Sequence, residues 1–167
     1  EKNAVSKTET APSLKTINKL VNWGFQKSDG RKIDTIIVHS SYNALGGDEY
    51  DTEKLIAEYK GYGVSPHYLI DRSGQIYKLI EEKNIAYHAG ESQTPDGRKN
   101  VNGFSLGIEV MENKTDEPSS AQYASLWARA CSYPRFSSSS NTPRSTGNIG
   151  TSRAMCAPCV TGRSTHR

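Results

Sequence analysis

Four short stretches set histidine or glutamate at the ends of apolar runs: Ile36-Ile37-Val38-His39, Ser65-Pro66-His67-Tyr68-Leu69-Ile70-Asp71, Tyr87-His88-Ala89-Gly90 and Ser105-Leu106-Gly107-Ile108-Glu109-Val110. Runs of this length read as buried strands, and a strand end is a rigid place from which to aim a metal ligand or a proton-transfer group into a cleft. A neutral imidazole there can bind zinc, and a hydrolytic zinc site needs three protein ligands plus an open position for water. His39 fits the first ligand; a hydrogen-bonded core histidine is the alternative, disfavoured by the company of the other three motifs. Glu109 lies between Ile108 and Val110, which should face the opposite layer. Its carboxylate is therefore poorly solvated, its pKa is pushed upward, and it suits a general base toward water attacking a carbonyl. A salt-bridged strand glutamate is the competing reading.

Three further residues carry weaker signals. His88 heads a long polar loop and is a candidate substrate-binding residue, able to hydrogen-bond substrate or a developing oxyanion, with loop architecture as the alternative. Asn102 is a second substrate-binding candidate, or else it orients the glutamate strand or caps the loop. His67 follows Pro66 at a strand start and reads as structural. Cys156-Ala-Pro-Cys159 could be half a zinc site or a redox pair, but with no second such pair chance spacing is the better reading.

The elements that must hold these groups follow from periodicity. Ile33 to His39 is a β-branched central strand. Asp51 or Thr52 caps a helix that runs to about Lys60, where Gly61 and Gly63 stop it. His67 to Asp71 and Gln75 to Ile80 form a hairpin around Arg72-Ser73-Gly74. Asn84 to Asn102 is a long loop of the kind that binds or moves. Ser105 to Met111 is a fourth strand, and Ser119 or Ser120 opens a helix to about Trp127. Upstream, Leu14, Ile17, Leu20 and Val21 recur at helical spacing, which predicts a short amphipathic helix or turn before Trp23 and Phe25.

With 167 residues, 34% hydrophobic, the chain supports one domain and a sizeable core. The net charge of +3 is scattered rather than gathered into a basic stripe interleaved with aromatics, which argues against nucleic acid as a partner. No apolar run approaches the roughly 20 residues of a membrane span. Residues 1 to 13 are polar and read as a disordered tether left after a signal segment, which points to a secreted or cell-envelope protein. Residues 14 to 127 form the domain. From 128 to 167 Arg, Ser, Thr, Pro and Cys dominate, Ser137 to Ser140 are consecutive serines, and no period survives.

Taken in order, "IIVHS", "SPHYLIDRSGQIYKLI", "AYHAG" and "NGFSLGIEV" resemble the zinc-dependent N-acetylmuramoyl-L-alanine amidases of the phage-lysozyme and peptidoglycan-recognition-protein type, from about Ile33 to Trp127. The resemblance implies an α/β fold with a mixed central sheet flanked by helices and a zinc ion in a surface groove. It implies hydrolysis by zinc-activated water of the amide between the lactyl group of muramic acid and L-alanine, with peptidoglycan or muropeptides as partner. His39 matches the first zinc ligand of the family and Glu109 its glutamate base. Another branch uses a tyrosine before the strand histidine, where this chain has Pro66. The departure comes later. The family's segment of the form His-x-Asp-Ile-x-Pro-x-Arg-Lys-x-Asp-Pro supplies the second and third ligands, and this chain lacks it, His166 being the only histidine after Glu109. A non-catalytic wall-binding module is the alternative reading. Reverse translation offers an explanation. Joining the last base of each codon to the first two of the next turns the Met155-Cys156 junction into valine and permits Asp-Val-Arg-Pro-Leu-Arg across Ala154 to Val160 and Asp-Pro across Ser164 to His166. The tail from roughly Trp127 thus reads as a frameshift product.

Overall fold

The computed structural model describes residues 15–133 and the backbone of Cys159–Val160. In chain order the elements are β1 (Thr16–Asn18), β2 (Phe25–Gln26), β3 (Thr35–Ser41), α1 (Thr52–Tyr62), β4 (Tyr68–Ile70), β5 (Ile76–Lys78), β6 (Ile85–Ala86), a 3-10 turn (Val101–Gly103), β7 (Ser105–Met111), α2 (Ser120–Cys131) and β8 (Cys159–Val160). The principal sheet has the order β1-β5-β4-β7-β3-β8, and β2 pairs with β6 in a separate ribbon. Only the β4–β5 hairpin is antiparallel within the principal sheet; β4, β7, β3 and β8 run parallel, as do β1 and β5. This is the mixed sheet that the family resemblance implies.

The period of two along β3 and β7 divides the molecule into layers. Ile36, Leu106, Ile108 and Val110 face α2, where Leu126, Ala130 and Tyr133 pack against them. Met111 and Leu69 point to the other side and join Leu55, Ile56 and Tyr59 of α1. His39 and Glu109 share the parity of that second face. Both layers are built by helices whose ends are chemically specified. Asp51 accepts hydrogen bonds from the amides of Glu53 and Lys54, and Gly63 closes α1 with φ of 67°. Ser119 and Gln122 make a reciprocal capping box on α2, and the buried Gln122 also donates to the Met111 carbonyl at 2.8 Å.

Three sequence expectations differ from the structure. Of the segment expected to be helical from Leu14 to Val21, the described part forms no helix, and Thr16–Asn18 is an edge strand beside β5. Ile17 and Leu20 stay 40% and 51% exposed, so their helical spacing serves no buried face, and the open sheet edge offers backbone partners instead. The long loop contains β6, which the ribbon with β2 stabilises. Most consequential, α2 runs four residues beyond Trp127. Ala128 and Ala130 continue the helix, Ala130 and Tyr133 fill the second core, and Arg129 pairs with Glu82 while its guanidinium stacks on Tyr68 and Tyr133. The expected tether over 1–13, Cys156 and His166 lie outside the described residues, and Cys159 is described only as backbone in β8.

Candidate active site

The parallel pairing of β3 with β7 sets His39 directly opposite Glu109. Paired residues on neighbouring strands project to the same side, with Cβ atoms roughly 5 Å apart, so imidazole and carboxylate stand side by side. They lie toward the carboxyl ends of parallel strands, the usual place for a crevice in such sheets. Glu109 Oε2 is shielded from solvent and has no hydrogen-bond partner among the described residues. Burial lifts the carboxyl to a pKa of about 7, and a hydrogen bond with Ser41 opposes the rise. Ser41 and the Tyr59 hydroxyl are 2.6 Å apart, and burial together with the Glu109 charge keeps that phenol protonated. Among the described residues no cation offsets the effect of burial on this carboxyl.

His88 comes to the same place from the loop. Its Nδ1 is 3.0 Å from His39 Nε2, and its Nε2 is 3.2 Å from the Ser105 hydroxyl. The ring expected to meet substrate thus engages protein on both nitrogens and is 8% exposed. Burial first, then the neighbouring His39, His67 and Arg31, keeps His88 neutral. Asn102 Oδ1 accepts from the amides of His88 and Ala89 at 3.2 and 2.9 Å, so its side chain holds the loop that carries the ring. Gly107 is required beneath: a Cβ there would come within 2.3 Å of His88 Cγ.

His67 is fully buried and structural, as its position suggested. Its Nδ1 accepts from the Gly107 amide at 3.0 Å, which places the proton of the neutral ring on Nε2, and Nε2 lies 3.2 Å from the Asn84 carbonyl and 3.0 Å from Arg31 Nη2. Burial and then the Arg31 charge depress its pKa to about 4. Arg31 itself was not foreseen. Its guanidinium donates to the carbonyls of Glu82, Asn102 and Ser105, at 2.8, 2.9 and 3.0 Å, tying three chain segments behind the site. It lies in the polar stretch Ser28-Asp29-Gly30-Arg31-Lys32, where no periodicity separates a buried arginine from an exposed one. Ser105 and Ser41 were also missed, although each lies on the same strand as a predicted functional residue or its partner.

Among the described residues no group of three His, Cys, Asp or Glu side chains could hold a metal ion. The donors present fit one corner of a zinc site: an imidazole fixed at a strand end, beside a shielded carboxylate oxygen that still lacks a partner. The arrangement defines an α/β domain that pairs an imidazole with a buried carboxyl across two parallel strands. Residues 29–133 match the family model described as N-acetylmuramoyl-L-alanine amidase, and the chain belongs to that family. It is 42% identical over 74 residues to the 1,6-anhydro-N-acetylmuramyl-L-alanine amidase AmpD of Escherichia coli K12, a match covering 44% of this chain and 40% of the relative. It is also 42% identical over 64 residues to the AmpD of Haemophilus influenzae, covering 38% of this chain and 34% of that one. The matched stretch is thus well under half the length of these relatives. A crystal structure of a selenomethionine AmpD derivative superposes with a TM-score of 0.55 at 26% identity, over 68% of this chain and 71% of that one. No helix among the described residues is long and apolar enough to cross a membrane.

Proposed function

We propose that this chain is a peptidoglycan amidase that hydrolyses the bond between the lactyl group of N-acetylmuramic acid and the L-alanine of the stem peptide. The observation that carries the reading is the His39–Glu109 pair, whose carboxylate has a pKa near 7 and an unpartnered, shielded oxygen. Glu109 in its ionised form takes a proton from the attacking water and, as the acid, returns it to the leaving nitrogen. His39 is the ligand this domain contributes to a zinc ion, which when bound would acidify water and polarise the scissile carbonyl. We assign Asn102 and His88 to the substrate-binding side of the site, Asn102 through the amides at positions 88 and 89 that it fixes. We read the protein as secreted or located at the cell envelope, in keeping with a peptidoglycan substrate.

The second reading is a non-catalytic muropeptide-binding module, favoured by the lack of a three-ligand cluster among the described residues. The tail is the hinge between the two. We read it as translated in a shifted frame from roughly Trp127 onward. Resequencing the gene tests this: an uninterrupted frame with clean reads refutes it. For function, the full chain is incubated with purified muropeptides and zinc, and the parent is compared with Glu109→Gln. Release of free stem peptide by the parent and not by the variant establishes the amidase. Binding by both without release establishes the module.

A further inference from the structure

A second concavity lies between the segment that joins β1 to β2 and α1. It encloses about 620 Å³, the size of a small-ligand site, and is lined by Leu20 and Trp23 from the first and by Ala57 and Lys60 from the second. None of the residues assigned to the candidate active site takes part in it. Its two lysines differ. Lys19 is paired with Glu53 at 2.6 Å, whereas Lys60 has no carboxylate partner among the described residues, and its Nζ stands 5.3 Å from the centre of the Trp23 ring. The cleft therefore sets an unneutralised cation beside an aromatic side chain. Gly24 carries this surface onward. Its carbonyl accepts the Tyr87 amide at 2.8 Å, and it packs so closely on Val64 that a Cβ would fall 2.5 Å from the backbone there. Val64 and Tyr87 are exposed beside it, Tyr62 at the end of α1 is 72% exposed, and Tyr87 directly precedes His88. Apolar side chains gathered on a surface in this way mark a binding face more than scattered ones do.

We propose that this cleft binds the peptide-free glycan of peptidoglycan, the polymer that the hydrolysis leaves behind. Two features of that product fit it. A pyranose ring has a face of C–H groups that packs against an aromatic side chain and buries apolar surface, which Trp23 offers. Hydrolysis leaves the amine on L-alanine and a carboxylate on the lactyl group, and the Lys60 ammonium can donate a charge-assisted hydrogen bond to that carboxylate. A neutral sugar polymer lacks the carboxylate and a plain polyanion lacks the sugar face, so the denuded glycan alone satisfies both walls. The backbone link through Gly24 and Tyr87 joins the cleft to the loop that carries His88. A strand held by its cut units thus keeps its uncut units at high local concentration beside the active site. The choice of ligand rests on the reading of the chain as a peptidoglycan amidase, but binding at the cleft requires neither metal nor hydrolysis.

The test titrates the full chain, without added metal, with three probes in a calorimeter: peptide-free glycan strands, N-acetylglucosamine oligomers of similar length, and poly(glycerol phosphate). The parent should bind the glycan about tenfold or more tightly than either of the others, and less tightly as salt screens the carboxylates. Lys60→Glu should weaken glycan binding about tenfold and leave the neutral oligomers unaffected. Ala57→Glu sets a carboxylate into the cleft and should weaken the glycan at least as much. Both positions are exposed on α1, where glutamate is a good helix former, so the thermal melts should match the parent's. Glycan binding that survives either substitution overturns the proposal. So does failure of the parent to bind the glycan, or equal binding of poly(glycerol phosphate), which would reduce the cleft to a patch of charge. Release of stem peptide from muropeptides is measured alongside. Glycan binding without release leaves the cleft assigned and removes the amidase reading, and release without glycan binding does the reverse.

Discussion

Gly107 lies against the ring of His88 at a distance no side chain tolerates, its absent Cβ falling 2.3 Å from Cγ of that ring. The same glycine donates its amide to His67 and accepts the His67 amide at its carbonyl. One residue therefore seats two histidines of the site, which explains an Ala-sized gap in a strand otherwise made of large apolar side chains. Gly107→Ala should force the His88 ring away and cost about 1–3 kcal/mol of overpacking strain. Denaturant titration measures it, and the double variant with His88→Ala should lose much less than the two single costs added together, because the clash is with the ring. Additive losses would place the strain elsewhere.

The pKa of Glu109 has opposite consequences for activity and for stability. If Glu109 is the base, hydrolysis rises with pH as the carboxyl ionises and levels off above about 7. Folding moves the other way. The native state holds this proton more tightly than the unfolded chain, whose carboxyl titrates near 4.5. Stability is thus fully present below that value and declines as pH climbs through about 7, by up to about 3 kcal/mol. Glu109→Gln should abolish hydrolysis and flatten the decline. Unfolding free energies of the parent and the variant at pH 5 and pH 8 check the second point, and equal slopes would refute it.

His67 gives the mirror image on the acid side. Its native pKa of about 4 lies below the ordinary 6.5, because burial and the Arg31 guanidinium disfavour the imidazolium. The unfolded chain takes up the proton first, so this contribution is intact above 6.5 and is lost as pH falls to about 4, again up to about 3 kcal/mol. His67→Asn keeps an acceptor for the Gly107 amide but removes the titrating group. It should start less stable at pH 7 and lose less on acidification. A parent whose melting temperature is flat between pH 6.5 and pH 4.5 would contradict this.

How much of this was readable beforehand depends on the kind of signal. β3, β4, β5 and β7 announced themselves because β-branched and alternating runs have one stable use in a half-buried sheet. The caps at Asp51, Gly63 and Ser119 were legible because helix ends need those side chains or that φ. From the same alternation the sequence also implied that Glu109 would be under-solvated. Arg31, Ser105 and Ser41 were not legible, since their roles depend on carbonyls and rings brought together from segments far apart in the chain. β1 was misread because spacing alone cannot tell an exposed edge strand from an amphipathic turn.

The end of α2 supplies the last prediction. Composition suggested that the domain stops near Trp127, yet Arg129 reaches Glu82 and places its Nη2 2.6 Å from the hydroxyls of both Tyr68 and Tyr133. Burial alone would raise the Glu82 carboxyl, but hydrogen bonds from Tyr133 and Tyr68 and the Arg129 charge outweigh it and leave the pKa lowered. The network fastens the helix end to β4 and to the turn after β5, and it keeps a half-buried carboxylate satisfied. Arg129→Met removes the ion-pair partner of that carboxylate and should cost about 3 kcal/mol, more than an exposed ion pair contributes. Adding Glu82→Gln to it should recover a large part, because the stranded charge is gone. A chain ended after Trp127 loses Arg129, Ala130 and Tyr133 together and should melt without cooperativity. A sharp melt at the parent's temperature would restore the shorter boundary.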